Sequence, residues 1–414
     1  MKNLKLFFLA VIFSACNMQV INKVSVSVSN PIDAARTDAL IEVPLSEISI
    51  RLGSEDYSQL CLFLNEEHIP FQMIDNNSDG KPDVLIFTDN FAGLKTKEYT
   101  VSILSFGESK PEFKSRVYAE VARKEDYTYT KGKFSGGYYK NVDSITVPAI
   151  HKDHDALFKY EGPGWESEKV GYRFYLDWRN SNDIFGKKTT DLVLKQVGSK
   201  SLEAQNDSYH EMADWGMDIF KVGTSLGIGT LASYENGEVV KISKTDSVVC
   251  VIKENGPVTA TIKTKYYDWD SGVSKYNVES NYSINAGSRL TKHRAVFNNS
   301  PAKLATGLAK YENTVYTNSE SSGAWNYIAL YGKQSLADDM LGIVLFYKNE
   351  NLVELTEDDV NHLVVLRANN NELTYYFGAA WEQEKNGIKT EKDFYEYLNQ
   401  QLDELNNPLK IRID

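Results

Sequence analysis

Cysteine is nearly absent from this 414-residue chain, with three in all, at positions 16, 61 and 250. Three widely spaced thiols build no disulfide framework, and none has the spacing of a zinc site. Cys61 (QLCLFL) and Cys250 (SVVCVI) sit in apolar, strand-like runs, which predicts two buried free thiols. Excess basic charge is absent too. There are 45 Lys and Arg against 57 Asp and Glu, a net charge of −12, which argues against nucleic acid as a partner. Beyond the first 15 residues no hydrophobic run is long enough to span a bilayer. Missing as well are a GxxxxGK(S/T) phosphate loop, a GxSxG elbow, an HExxH helix, a fixed-period repeat and a low-complexity stretch. Proline is sparse at 10, yet helical periodicity is weak over most of the length.

Aromatic residues are plentiful instead, with 25 Tyr and 18 Phe, and they favour strands. Strand signals occur at residues 41–43, 48–52, 60–64, 84–88 and 99–104. They continue at 192–197, 239–242, 248–253, 258–267, 276–284, 288–297, 343–347, 362–367 and 373–379. In 288–297, His293 and Arg294 point to opposite faces. One helix is expected near the end. Thr390 is its N-cap, Asp393 sits at N3, and Phe394, Tyr397, Leu398, Leu402 and Leu405 make its apolar stripe before Pro408. The fold class is all-β: a large antiparallel β-sandwich with a small N-terminal β domain and a C-terminal helix. Residues 31–118 form the small domain and 119–414 the main, catalytic one.

Residues 1–15 read as a targeting segment. Lys2 and Lys5 precede an apolar run, and Phe13-Ser14-Ala15-Cys16 puts small residues before a cysteine. This resembles a bacterial lipoprotein signal, cleaved before a lipidated Cys16. Several acyl chains would hold the protein on a membrane, here the outer membrane, facing periplasm or cell surface. Residues 16–30 are then a tether and first strand.

Polar chemistry concentrates at residues 151–188. Read as a strand, 172–179 sends Tyr172, Phe174, Leu176 and Trp178 to a core face and Arg173, Tyr175, Asp177 and Arg179 to the other. The second row is either a solvated face with Arg–Asp pairing or a grip for an anionic substrate, since guanidinium groups bind carboxylate or sulfate bidentately. Just upstream, His151 and His154 could be a metal pair, an acid–base pair or loop residues. Gly162-Pro163-Gly164 presents Trp165, either to a sugar ring or to the core. A second cluster joins Tyr209, His210, Glu211, Asp214, Trp215 and Asp218, followed by Lys221 in a glycine-rich loop. The alternative there is a polar loop that plugs Trp215 into the core. Asp75, Asn77, Asp79 and Asp83, with Gly80, imitate a short calcium loop, although Asp-Gly is equally a hairpin turn signal. Structural calcium is thus the one ion to look for, and no cofactor is required.

Three stretches carry a family resemblance: HKDHDALFKYEGPGWESEKVGYRFYLDWRN, DIFGKK and YHEMADWGMDIFKVGTSLGIG. They resemble bacterial lipoproteins, first classed as a domain of unknown function, from clusters that degrade acidic cell-wall polysaccharides. Members include dehydratases acting on oligosaccharides of ulvan, a sulfated rhamnose–uronic acid polymer. The resemblance implies a mutarotase-like supersandwich. It also implies loss of water from a non-reducing-end glucuronic or iduronic acid of a sulfated oligosaccharide. The 4,5-unsaturated product would pass to unsaturated-glucuronyl hydrolases. Such chemistry needs a cation on the carboxylate, a base for the C5 proton and an acid for the departing C4 hydroxyl. On our own reading of the motif positions, Arg173 and Arg179 neutralise the carboxylate or an adjacent sulfate. His210 or Tyr175 is the base and His154 the acid. His151, Trp165, Asp177, Tyr209, Trp215 and Lys221 bind the sugar. The alternatives are a polysaccharide lyase, a non-catalytic glycan-binding lipoprotein, and a glycoside hydrolase using Asp177 and Glu211.

Overall fold

The computed structural model describes residues 23–104, 109–198 and 208–414. The targeting segment and Cys16 lie outside them. Among the described residues strands predominate, and Cys61 and Cys250 are buried.

A nine-stranded antiparallel sheet is the backbone of the main unit. Two five-stranded sheets pack on it. One runs, in spatial order, Gly216–Asp218, Asn182–Lys187, Val170–Phe174, Gly164–Ser167 and Val117–Glu120. The other includes Ala232–Glu235, Leu304–Ala309 and Asn361–Leu366. Alternating side chains from all three meet in one core, in which Trp165, Tyr172 and Ile184 lie with Tyr282, Phe377, Leu345 and Val364. This is the antiparallel sandwich expected. The helix Glu391–Asn406 covers part of the outer face of the nine-stranded sheet, seating Phe394, Leu398 and Leu402 against Ala329, Tyr331 and Phe346. Thr390 caps it by accepting from the Asp393 amide at 3.1 Å.

The small unit has its own core, built from Val24 to Val101 and closed by Ile413. Its edges differ from those expected. Strand Lys410–Ile413 returns to pair with Lys23–Ser29, while Val117–Glu120 pairs with Gly164–Ser167 and so belongs to the main unit.

Three local expectations fail for identifiable reasons. Residues 48–52 lie in a helix, Leu45–Leu52, because Leu45, Ile48 and Leu52 share a buried helical face. Ile50, which strand alternation would bury beside them, is 78% exposed. Residues 192–197 form a turn, because the amides of Val193 and Leu194 donate to the buried Glu166 carboxylate at 3.0 and 2.8 Å instead of to a neighbouring strand. The strand expected over 172–179 stops at Phe174. Its continuation is a tight loop that turns Trp178 outward rather than into the core.

The loop proposed for calcium is a self-bonded turn. Asp75 accepts from the amides of Ser78, Asp79 and Gly80, and Asp83 from Asn76 at 2.7 Å. Its carboxylates serve their own backbone, and among the described residues no group of three His, Cys, Asp or Glu is placed to hold a metal ion.

Candidate active site

Residues 151–162 fold back on themselves before the strand Gly164–Ser167. Asp155 organises the first turn, accepting from the amides of Lys152 and Leu157 at 2.7 and 2.9 Å. His154, Ala156, Tyr160 and Glu161 all have left-handed backbones, with φ of 55°, 64°, 40° and 69°. Four such residues within eight store strain that the surrounding contacts must offset. The result is that Glu161 points back beneath two guanidinium groups. Its carboxylate takes Arg179 Nη2 at 2.7 Å, Arg173 Nη1 at 3.5 Å and the His154 amide at 3.1 Å. Burial would raise the Glu161 pKa, but Arg173 and Arg179, aided by His154, pull it down to about 2.

Arg173 sits on the strand Val170–Phe174, in register with Asp183 on the neighbouring strand. Its Nη2 meets Asp218 at 2.6 Å, Asp183 at 2.7 Å and the Tyr175 hydroxyl at 3.0 Å. Its Nη1 also reaches the Tyr209 hydroxyl at 3.1 Å. Tyr175 donates its proton to Asp183 in a short bond. Burial together with the nearby Asp218 raises the Asp183 pKa. Burial first, then the neighbouring carboxylates, keeps Tyr175 a protonated phenol despite Arg173. Arg179 is held by Asp177 and lies 3.8 Å over the Tyr175 ring.

Above this network opens a cavity of about 370 Å³. That falls within the range of about 300–1,000 Å³ for small-molecule sites. Its wall carries Asp153, His154, Trp178, His210, Lys221 and Thr224, and its floor Glu161, Arg173, Tyr175, Arg179, Asp183 and Asp218. His210 is half-exposed, and its Nδ1 lies 3.1 Å from Asp218 Oδ2. A carboxylate on Nδ1 leaves Nε2 as the proton-accepting end. His154 is the more exposed imidazole, 3.6 Å from both Asp153 and Glu161.

Residues 28–411 match the family described as "Domain of unknown function (DUF4861)". The chain belongs to this family. A relative in Formosa agariphila, "Uncharacterized protein P7", is 24% identical over 429 residues, covering 99% of this chain and 98% of the relative. Two solved structures are similar at low identity. An alpha-mannosidase from Enterococcus faecalis V583 gives 11% identity and a TM-score of 0.46, over 95% of this chain and 46% of that one. A protein in glycosyl hydrolase family 38, also from Enterococcus faecalis, gives 10% and 0.44, over 95% and 47%. The chain thus spans less than half the length of either.

In this DUF4861 chain, seven residues singled out from sequence line the cavity: His154, Arg173, Tyr175, Arg179, His210, Asp218 and Lys221. The others do not. Trp165 is fully buried, stacked on Tyr172 and Tyr282 at 5.7 and 5.4 Å, with Nε1 donating to Thr291 at 2.8 Å. It is a core residue, because its face of the strand packs on the large sheet. The His151 ring is buried against Asp155 and Phe158. Tyr209 is buried beneath the cavity with its hydroxyl on Arg173, and Trp215 packs edge-on against Phe185. Asp177 lies behind Arg179, and the exposed Glu211 is off the cavity wall, so the two do not form a hydrolase pair. Arg173 cannot grip a substrate anion, since its donors are spent on protein carboxylates and phenols. Tyr175 is too well protonated to be a base. Sequence reasoning missed Glu161, Asp183 and Trp178 as cavity residues. Asp183 opens the DIFGKK motif, and strand pairing with Arg173 was the signal that could have found it.

Proposed function

We propose that this chain is an oligosaccharide dehydratase acting on a uronic acid at the non-reducing end of ulvan fragments. The observation that carries the reading is the shared cavity of two imidazoles: His210, braced by Asp218, and the more exposed His154. His210 Nε2 takes the C5 proton. The C–H electron pair forms the C4–C5 double bond, the C4–O bond breaks, and His154 protonates the departing hydroxide to water. Charge building on the substrate carboxylate needs a cation that the protein has not already neutralised. Lys221 is exposed on the wall and forms no ion pair with described residues, whereas Arg179 is already paired with Glu161 and Asp177 and keeps only Nη1 without a hydrogen bond to described residues, as a donor for a substrate oxygen. Lys221 takes over the role first given to Arg173, beside Arg179. Asp183 and Tyr175 keep Arg173 and Asp218 in place. On the same reading the protein works at the outer membrane, held by lipid on Cys16, and supplies unsaturated-glucuronyl hydrolases.

The test is absorbance at the unsaturated-uronate band, with products weighed by mass spectrometry. A saturated oligosaccharide ending in glucuronic acid on rhamnose 3-sulfate should absorb with loss of one water. His210→Gln should lower kcat by roughly 10²–10⁴-fold, the contribution of a general base. Absorbance from polymeric ulvan with chain shortening and no water loss would make the protein a lyase instead. Binding of the oligosaccharide without turnover would make it a glycan-binding lipoprotein.

A further inference from the structure

Trp178 stands apart from the other tryptophans. Trp165, Trp269, Trp325 and Trp381 are buried and Trp215 is half-buried, whereas Trp178 is 51% exposed. The loop that bears it is anything but a loose surface loop. Tyr175, Leu176 and Asp177 before it, and Arg179, Asn180 and Ser181 after it, are all buried. Each flank is tied down. The Tyr175 amide donates to the Ser181 carbonyl at 3.0 Å, the Leu176 amide to Glu161 at 3.1 Å and the Asn180 amide to Asp177 at 3.0 Å. The Asp177 carboxylate also accepts from the Arg179 amide at 2.9 Å. One indole is therefore held out from a rigid, buried frame, and it lines the cavity shared by His154 and His210.

A large apolar ring kept in water, on a loop whose other side chains are all inside, is a binding surface rather than a packing element. An indole is flat, wide and polarisable. The C–H face of a pyranose is flat and apolar, while its hydroxyl edge is polar. The cavity supplies both kinds of partner, with the Trp178 ring beside the polar Lys221, Thr224 and His154. Because the loop is already ordered, stacking costs little further conformational entropy.

We infer that Trp178 is the stacking platform for the sugar joined to the reacting uronic acid, so that the site selects oligosaccharides over single uronic acid residues. This rests on the reading above and adds a substrate preference to it. The indole touches the neighbouring ring and not the reacting atoms, so it is a binding residue that sets specificity.

The experiment compares the full chain with Trp178→Ala and Trp178→Phe, on a saturated tetrasaccharide ending in glucuronic acid and on methyl glucuronide. Thermal melting of both variants checks the fold. Calorimetric titration with the tetrasaccharide is run beside the kinetics. Trp178→Ala should raise KM for the tetrasaccharide roughly tenfold, with a far smaller change in kcat, the scale of one lost aromatic stack. The preference for tetrasaccharide over methyl glucuronide should fall by the same factor, and Trp178→Phe should restore part of it. An unaltered preference in Trp178→Ala, or a loss carried by kcat alone, overturns the inference. If the parent binds the tetrasaccharide without turning it over, the dehydratase reading falls. Trp178 is then judged by Kd, where weaker binding in Trp178→Ala supports it and equal binding overturns it. A parent that neither binds nor turns over either saccharide overturns both.

Discussion

A single guanidinium, Arg173, meets three carboxylates and two phenols, which makes it the keystone of the cavity floor and leaves it unable to bind substrate. Buried charge is tolerated when every donor is matched. The same logic, with opposite charge preference, governs His293 in the main core. It stacks on Tyr282 at 4.2 Å, and its nitrogens meet Tyr375 at 2.5 Å and Ser280 at 2.7 Å. Tyr375 gives its own proton to the Gly229 carbonyl, so the phenol oxygen accepts from His293 Nδ1–H, and Nε2 accepts from Ser280. Burial lowers this histidine to about 3. In the unfolded chain its pKa is about 6.5. Between those values the unfolded chain binds a proton that the folded one refuses, so stability is complete above about pH 6.5 and falls as pH drops towards 3. Glu161, held down to about 2, contributes its own loss only below about pH 4.5, so the decline between about pH 6.5 and 4.5 is free of it and the two overlap below that. Urea unfolding from pH 6.5 to 5 should therefore carry a decline approaching about 1.4 kcal/mol per pH unit from His293, set against the opposite contribution of Asp183, whose pKa, raised to about 6, adds stability as pH falls. His293→Gln should flatten that slope. Parallel slopes in parent and variant would remove His293 as the cause.

The elements that place the site were partly legible in the chain. Alternation located six of the nine strands of the large sheet, where the period-two pattern survives, but missed most strands of the two smaller sheets, among them Gly164–Ser167, Asn182–Lys187 and Leu304–Ala309. It also brought Arg173 and Tyr175 together, and Asp177 and Arg179 together, although the strand stops after Phe174. What alternation could not show is what stops it. Gly162 lies directly against the Phe174 carbonyl, so close that a Cβ there would overlap the oxygen. The turn ahead of it, with left-handed Tyr160 and Glu161, occupies the edge where a longer strand would run. Trp178 was misassigned for this reason, since beyond Phe174 its direction is set by loop geometry and no longer by pleat. Helix Leu45–Leu52 escaped because Ile48-Ser-Ile-Arg-Leu52 satisfies both periods, and the Gly53 left-handed cap was the neglected signal. Gly162→Ala should force the turn and strand apart, cost about 2 kcal/mol or more, and lower activity by moving Glu161 from beneath Arg179. Unfolding curves and turnover measured together would check it, and normal activity in that variant would detach the turn from the site.

At the scale of the whole molecule, two cores share one chain, and the small one is completed by residues from both of its sequence extremes. Val26 pairs with Ile413, Arg51 Nη2 donates to the Ile413 carbonyl at 2.6 Å, and Arg36 reaches the Asn407 carbonyl. The small unit then leans on the main one through Gln72. Its side chain donates to Glu254 at 3.0 Å and accepts the amides of Val258 and Thr259 at 3.1 and 3.0 Å. Arg116 adds a bidentate bridge to Asp38 at 2.7 and 3.0 Å. None of these groups lines the cavity, whose walls come from the main unit alone. Deleting residues 408–414 uncovers the edge of Lys23–Ser29 and removes Ile413 from the small core. The small unit should lose stability by a few kcal/mol, the scale of one buried aliphatic side chain and several ladder hydrogen bonds. Calorimetry should then resolve an early transition ahead of the main one, with turnover retained below it. A single transition shifted as a whole would show instead that the Gln72 and Arg116 contacts couple the two cores into one cooperative unit. In that case the C-terminal strand would stabilise the site across the full width of the molecule.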